Sequence, residues 1–302
     1  MLNASVLIPT KNGARWIDAC LRGIFSQQDV SGVDVVIVDS GSTDETLKIA
    51  TRYPVRTAEI APHEFHHART RNFAATLTHA PFLVFLSQDA IPESPTWLAS
   101  MLRNFSDPGV GAVYGRQVPR QGTSLERHDA LSAVYGPARL VKEPASRSEL
   151  GFRYYHFSNA NSAVRRNVWE STRFPEDLKV FEDLGIAKRI LDAGWKIVYE
   201  PDARVVHSHN HTSTDLFKRY FDIGYTFRRL GIWNSQTRQS MAEEFRKVVK
   251  RKIGRTKEGS AQTSRGSLGM DVAKSAGFWL GVHEHYLPVG LKRFFSAHKI
   301  FS

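Results

Sequence analysis

The stretch "PFLVFLSQDA" (81–90) constrains the fold more than any other. Phe82–Leu86 is an unbroken run of large apolar side chains, the pattern of a strand covered on both faces. It stops at Ser87-Gln88-Asp89, and Pro92 beyond cannot continue a ladder. A buried strand therefore delivers a carboxylate to its very tip.

The same arrangement recurs along the chain. "SVLIP" (5–9) precedes the polar loop "TKNG", and "ARWIDACLRGIFSQ" then has apolar residues at helical spacing. "VDVVIVD" (33–39) is β-branched and ends in an acid. "GSTDETLKIATRY" reads as a loop entering a helix, with Ser42 or Thr43 as N-cap. After "VRTAEI", "HARTRNFAATLTHA" is again helix-like. Such alternation predicts an α/β fold with a parallel sheet covered by helices. Ligands of these sheets bind beyond the carboxyl ends of the strands. Three polar strand ends gather there: Thr10-Lys11-Asn12, Asp39-Ser40-Gly41-Ser42 and Ser87-Gln88-Asp89.

Further on, "VGAVYGRQV" (110–118) reads as a strand, followed by a loop-rich region to about residue 150. "HFSNANSAVRRNVWEST" holds a polar turn, a short strand and a helix start; "FEDLGIAKRILDAGWKIVYEP" puts two acids at the head of a helix. Beyond residue 212 the texture becomes aromatic, basic and helical, with a Gly/Ser/Thr-rich break near 254–269. The expected organisation is an α/β domain over 1–211 and a basic, aromatic helical C-terminal region over 212–302.

Composition narrows the partners. A formal charge of +11 points to anionic ones: nucleic acid, phosphorylated substrates or an anionic membrane surface. No apolar run reaches the roughly 18 to 20 residues of a spanning helix. The start "MLNASVLIP" shows no basic leader or cleavage site, and the single cysteine, Cys20, fits a reducing compartment. The expected location is cytoplasmic, with peripheral contact at the inner face of the cytoplasmic membrane.

"VLIPTKN", "VVIVDSGSTDET", "ARTRNFAA", "FLSQDAIP", "FEDLGIAKRILDAGWKIVYEP" and "VVHSHNHT" together resemble the inverting glycosyltransferases of family 2. "FLSQDAIP", "YGRQVP" and "YLPVGLKRFFS" are similar to segments of the bacterial rhamnosyltransferases within it. The resemblance implies a GT-A fold: a nucleotide-sugar-binding, Rossmann-like mixed sheet with helices on both faces. It implies transfer of L-rhamnose from dTDP-L-rhamnose, with UDP- and GDP-sugars as alternatives. The acceptor would be a saccharide or lipid-linked glycan in cell-surface polysaccharide synthesis.

It also implies roles for residues. Pro9, Thr10, Asn12, Asp39, Ser40, Gly41, Arg71, Asn72, Ser87 and Gln88 would line the donor site, with Asp39 accepting the N–H of a uracil or thymine ring. A lone "DSGS" could equally be an Asp capping the next helix, and Asp44 reads as a cap or loop residue. Asp89 would hold Mg²⁺ or Mn²⁺, hard ions suited to oxygen ligands, against the charge of the leaving diphosphate. The family presents Asp-x-Asp here, whereas this chain offers one acid. The histidine that the family often places after the late strand makes His207 the candidate further ligand, a lone histidine being otherwise a structural hydrogen-bonding residue. His209 and His211 are assigned no metal role. Asp183 would be the base that deprotonates the acceptor, with Glu182 the alternative or a positioning group. Acids in a first helical turn also simply favour the helix dipole. Asn159 and Asn161 lie where sugar would be met, or are turn residues.

"EEFRKVVKRKI" (243–253) pairs Phe245, Val248, Val249 and Ile253 with five basic residues, the pattern of a helix on an anionic membrane or of one packed with a solvated basic face. "GFWLGVHEHYLPVGLKRFF" suits an interfacial patch or a homodimer contact. Three other readings compete. A nucleotidyltransferase would carry a Gly-rich, basic loop after the first strand, which "PTKNGARW" lacks. A nucleic-acid binder would carry a recognition motif, and none is present. An inactive scaffold would fit the reduced metal motif.

Overall fold

The computed structural model describes residues 3–28, 32–243, 246 and 261–301, with backbone alone at 125–127 and 261–268. Two compact units divide the chain. The first comprises Met1–Ala145, Tyr155–Asp177 and Glu182–Ser208; the second comprises Ser146–Tyr154, Leu178–Phe181 and His209–Ser302.

The first unit is built on β1 (Ala4–Thr10), β2 (Asp34–Asp39), β3 (Arg56–Glu59), β4 (Phe82–Leu86), β5 (Ile91–Pro92), β6 (Val110–Val118), β7 (Leu140–Lys142), β8 (Asn161–Arg165) and β9 (Lys196–Val206). They form one sheet in the order β3-β2-β1-β4-β8-β6-β9-β5, with β7 pairing β9. β3, β2, β1 and β4 run parallel, as the β-branched runs predict. β8 enters antiparallel between β4 and β6, which makes the sheet mixed. This reversal brings Asn161 opposite Leu86, so the start of β8 meets the polar end of β4.

β4 is buried along its whole length. Phe82, Val84 and Leu86 join a core with Ile17, Cys20, Leu21 and Ile24 of α1 (Ile17–Phe25) and with Trp97, Leu98, Met101 and Leu102 of α4 (Trp97–Leu102). The alternate residue Phe85 meets Phe174 edge to face, centroids 4.9 Å apart. Each such apolar side chain contributes about 1.5–3 kcal/mol on burial. Cys20 belongs to this core, and burial, aided by the charge of Asp89, pushes its thiol pKa far up.

α2 (Thr46–Ala50) starts later than the sequence predicts. Ser42 does not cap it, because its hydroxyl donates to Asp39; Asp44 instead accepts the Thr46 amide at 3.0 Å. α3 (His67–Thr76) follows the predicted helix. The expected loop region to residue 150 contains α5 (Leu125–Val134), β7 and α6 (Arg147–Leu150). Distant partners hold this segment: Leu131 and Tyr135 are buried, and β7 pairs Leu140 with Tyr199. α7 (Arg166–Thr172) and α8 (Glu182–Asp192) follow β8 and precede β9.

The second unit includes α6 and, among the described residues, α9 (Ser213–Arg229), α10 (Ala261–Val282) and α11 (Val289–Phe295). A capping box opens α9, with Thr212 Oγ1 accepting the Asp215 amide and Asp215 Oδ2 accepting the Thr212 amide. α10 runs through 261–269, where composition predicts a break. Its far half is anchored by buried Phe278 and Val282, and each glycine carried by the near half costs only about 1 kcal/mol. The basic stretch 243–253 lies outside the described residues apart from Glu243 and Arg246. No helix among the described residues is long and apolar enough to cross a membrane.

α9 and α10 touch backbone to backbone. A Cβ added at Gly277 would lie 2.2 Å from the Phe217 carbonyl oxygen, and one at Gly281 would lie 2.0 Å from that of Phe221. Only glycine tolerates this approach. Gly281→Ala should force the helices apart and destabilise the protein by about 1–3 kcal/mol. A thermal-denaturation midpoint equal to wild type would disprove so close a crossing.

Candidate active site

The ends of β1 and β2 are tied into one assembly around Asp39, whose side chain is fully buried. Asp39 Oδ1 accepts the amides of Gly41 (2.9 Å) and Ser42 (2.7 Å). Oδ2 accepts the hydroxyls of Thr10 (2.8 Å) and Ser42 (2.6 Å). The carboxylate thus shapes the loop and does not cap the next helix. Asn12, in the left-handed region at φ 47°, accepts the Thr43 amide at 2.8 Å. Ser40 Oγ donates to the Thr10 carbonyl at 2.9 Å, and Lys11 Nζ donates to the Ser40 carbonyl at 2.8 Å. Pro9 sits opposite Val38 in the parallel pair. Gly41 has φ 80°, the turn that presents its amide to Asp39.

The β4 end is fastened to the same loops. Gln88 binds the Lys11 backbone twice, its Oε1 accepting the amide at 3.1 Å and its Nε2 donating to the carbonyl at 3.0 Å. Ser87 donates its amide to Ala160 at 3.3 Å, linking this turn to the start of β8. β5 pairs Ile91 with Val206, which brings the turn before β5 and the end of β9 together. Asp89 Oδ1 lies 3.4 Å from His207 Nε2, and Oδ2 lies 3.4 Å from Arg120 Nη2. The opposite ring nitrogen, His207 Nδ1, meets Gln117 Oε1 at 2.8 Å. Gln117 Nε2 in turn donates to Tyr135 Oη at 2.7 Å and Ser158 Oγ at 2.9 Å. With its amide nitrogen committed to two hydroxyls, Gln117 presents its oxygen to Nδ1 and orients the ring with Nε2 toward Asp89.

The two acids of α8 occupy different surroundings. Glu182 is buried; Arg71 Nη1 pairs with its Oε1 at 2.9 Å and Asn159 Nδ2 donates to the same oxygen at 3.1 Å. Burial alone would raise its pKa, but the charges of Arg71 and His67 and the Asn159 hydrogen bond hold it below the ordinary value. Asp183 is half-buried, and its charge helps raise the pKa of Tyr135, behind the larger effect of burial. Asp183 Oδ1 accepts the Leu184 amide at 2.8 Å.

Two predicted contacts turn out to be spent on the scaffold. Asn72 Nδ2 donates to Phe174 O and Glu176 Oε1, both at 3.0 Å. Its Oδ1 accepts Trp169 Nε1 at 3.2 Å and the Phe174 amide at 3.1 Å, so its full amide capacity is used. Asn161, fully buried, accepts Trp97 Nε1 at 2.9 Å and donates to Ala203 O at 2.7 Å. Arg71 and Asn159 serve Glu182. Gln117 and Arg120 escaped the sequence reading although both lie in or beside "YGRQVP", because their partners come from the turn after β4 (Asp89), the residue after α5 (Tyr135) and the segment just beyond β9 (His207, Ser208).

The mixed α/β sheet matches solved glycosyltransferases of the GT-A fold. The mannosyltransferase PcManGT of Pyrobaculum calidifontis, solved with GDP-Man and Mn²⁺, matches with a TM-score of 0.65 over 93% of this chain and 87% of its own, at 19% identity. TarS of Staphylococcus aureus (residues 1–349) matches at 0.61 over 99% and 88%, at 15% identity. Residues 5–172 match the sequence family described as Glycosyl transferase family 2, and the chain belongs to that family. It is an inverting glycosyltransferase using a nucleotide-sugar donor and a glycan acceptor. The O-antigen chain rhamnosyltransferase WbaN of Salmonella anatum is 35% identical over 99% of this chain and 95% of its own. RfbN of Salmonella typhimurium, of the same description, is 32% identical over the same shares.

The Arg71–Glu182 pair gives a stability prediction. Arg71→Met strands a buried carboxylate and should cost about 3–5 kcal/mol, while Arg71→Met with Glu182→Gln should recover much of it. Because the folded pKa of Glu182 is depressed, its contribution is fully present above pH 4.5 and lost as pH falls through the folded value. Denaturant titrations from pH 7 downward should show a shallower acid limb in Glu182→Gln than in wild type, because Asp34 and other carboxylates with depressed pKa values remain.

Proposed function

We propose that this glycosyltransferase moves L-rhamnose from dTDP-L-rhamnose to a saccharide or lipid-linked acceptor during O-antigen or exopolysaccharide assembly. The observation that carries the sugar and the pathway is the likeness to the two Salmonella rhamnosyltransferases over 99% of the chain. The catalytic domain spans 1–211 in this reading, with 212–302 as a membrane-facing appendage.

The donor nucleoside meets Pro9, Thr10, Asn12, Asp39, Ser40 and Gly41, on loops already held in shape by Asp39. Asp89 and His207 would hold a divalent ion. Their oxygen and nitrogen, 3.4 Å apart, fit two neighbouring ligands of one ion with bonds of about 2.1 Å. Imidazole beside carboxylate suits Mn²⁺ better than Mg²⁺, which prefers oxygen ligands. When bound, the ion supplies charge neutralisation at the leaving diphosphate. Asp183 takes the acceptor hydroxyl proton as that oxygen attacks the anomeric carbon. The anomeric bond to the diphosphate breaks on the opposite face, and configuration inverts. Glu182, fixed by Arg71 and Asn159, positions the head of α8 and leaves base catalysis to its neighbour.

Asp183→Asn should retain dTDP binding and lose transfer by about 10²–10⁴-fold. Asp89→Ala should lose the metal-dependent part of dTDP binding measured by calorimetry. Turnover near wild type in Asp183→Asn would end its assignment as base, and a preference for UDP or GDP would end the thymidine reading.

The second unit supports peripheral membrane contact at the inner leaflet. Trp279, Tyr286 and Phe294 are 59%, 77% and 66% exposed, and α11 carries Lys292 and Arg293 beside exposed Val289 and Leu291. Aromatics with adjacent basic residues favour the interface of anionic lipid. The intact protein should float with phosphatidylglycerol vesicles, and Trp279→Ser with Phe294→Ser should float several-fold less. Equal flotation by the double variant would discard this surface.

A further inference from the structure

Asp89 is the lone acid of Ser87-Gln88-Asp89, and its charge is already answered by a guanidinium. Arg120 Nη2 lies 3.4 Å from Asp89 Oδ2 and also donates to the Asp89 carbonyl. The arginine is anchored on other sides as well. Its amide donates to Ser208 Oγ at 3.1 Å, its Nη1 donates to Ser208 O at 2.8 Å, and its guanidinium lies over the Trp16 ring at 4.1 Å. Its Nε is buried with no acceptor, so one of the five guanidinium donors is unspent. A divalent ion approaching Asp89 therefore meets a carboxylate paired with a fixed cation only a few ångströms away.

We propose that Arg120 is a diphosphate-binding residue that makes cation binding at Asp89 depend on the nucleotide. Without nucleotide the guanidinium neutralises Asp89. An arriving diphosphate carries more charge than one carboxylate and matches the planar fork of arginine. It draws Arg120 onto its oxygens and leaves Asp89 and His207 for the ion. Trp16 and Ser208 O keep the guanidinium beside the site throughout. A second acid in the motif would attract an ion whatever Arg120 did, so the single acid is what lets the coupling operate. This inference rests on the cleft being the donor site.

Calorimetry with Mn²⁺ alone, dTDP alone and both together tests it on wild type, Arg120→Gln and Arg120→Lys. Wild type should bind Mn²⁺ weakly alone and well with dTDP. Arg120→Gln should bind Mn²⁺ alone several-fold more tightly, yet dTDP about ten- to a hundredfold more weakly. Arg120→Lys, which keeps the charge without the fork, should lie between. The opposite signs separate this role from a structural one, since a loosened loop would weaken both ligands. Parallel weakening, or dTDP affinity unchanged in Arg120→Gln, would overturn the assignment of Arg120 alone. Failure of wild type to bind any of dTDP, UDP or GDP would instead remove the donor-site reading. Should Arg120→Gln not fold, Arg120→Lys carries the same comparison, with unchanged affinities again the refuting result.

Discussion

Removing a carboxylate from water costs several kcal/mol unless partners offset it, and the turn between β4 and β5 holds Asp89 largely out of solvent. Its partners do not come from its own segment. Arg120 arrives from beyond β6 and His207 from the end of β9, strands that reach this edge because β8 reverses direction beside β4. The mixed topology is thus the means by which one charged side chain is surrounded.

A similar economy separates Glu182 from Asp183. Consecutive residues on a helix project about 100° apart, so Glu182 turns inward to Arg71 and Asn159 while Asp183 is left half-buried. The inward acid is locked in its ionised form by fixed partners. Its neighbour Asp183 accepts the Leu184 amide on Oδ1 at 2.8 Å.

How far the sequence reveals this depends on whether a residue's partner is local. Val35–Val38 and Phe82–Leu86 announce strands by themselves, and α3 and α8 announce helices. The polar tips at Thr10, Asp39 and Asp89 follow from where those runs stop. Asn72 and Asn161 look like ligand contacts in one dimension because their partners, Phe174 and Ala203, lie 102 and 42 residues away. Ser42 looks like a cap until the buried Asp39 claims its hydroxyl. Gln117 and Arg120 were visible as a motif, but their chemistry needed β9 beside β6 to be seen. The stretch at 261–269 reads as a break by composition alone, yet the helix persists because Phe278 and Val282 further along are buried.

The one thiol of the chain has a practical meaning. Cys20 is sealed in the core under β4 and held in its unreactive protonated form, so it will not compete for thiol-specific reagents while the protein is folded. Any cysteine introduced on the surface becomes the sole point of attachment for a fluorophore or spin label. Distances and depths could then be read in the native enzyme without first removing a residue from its interior.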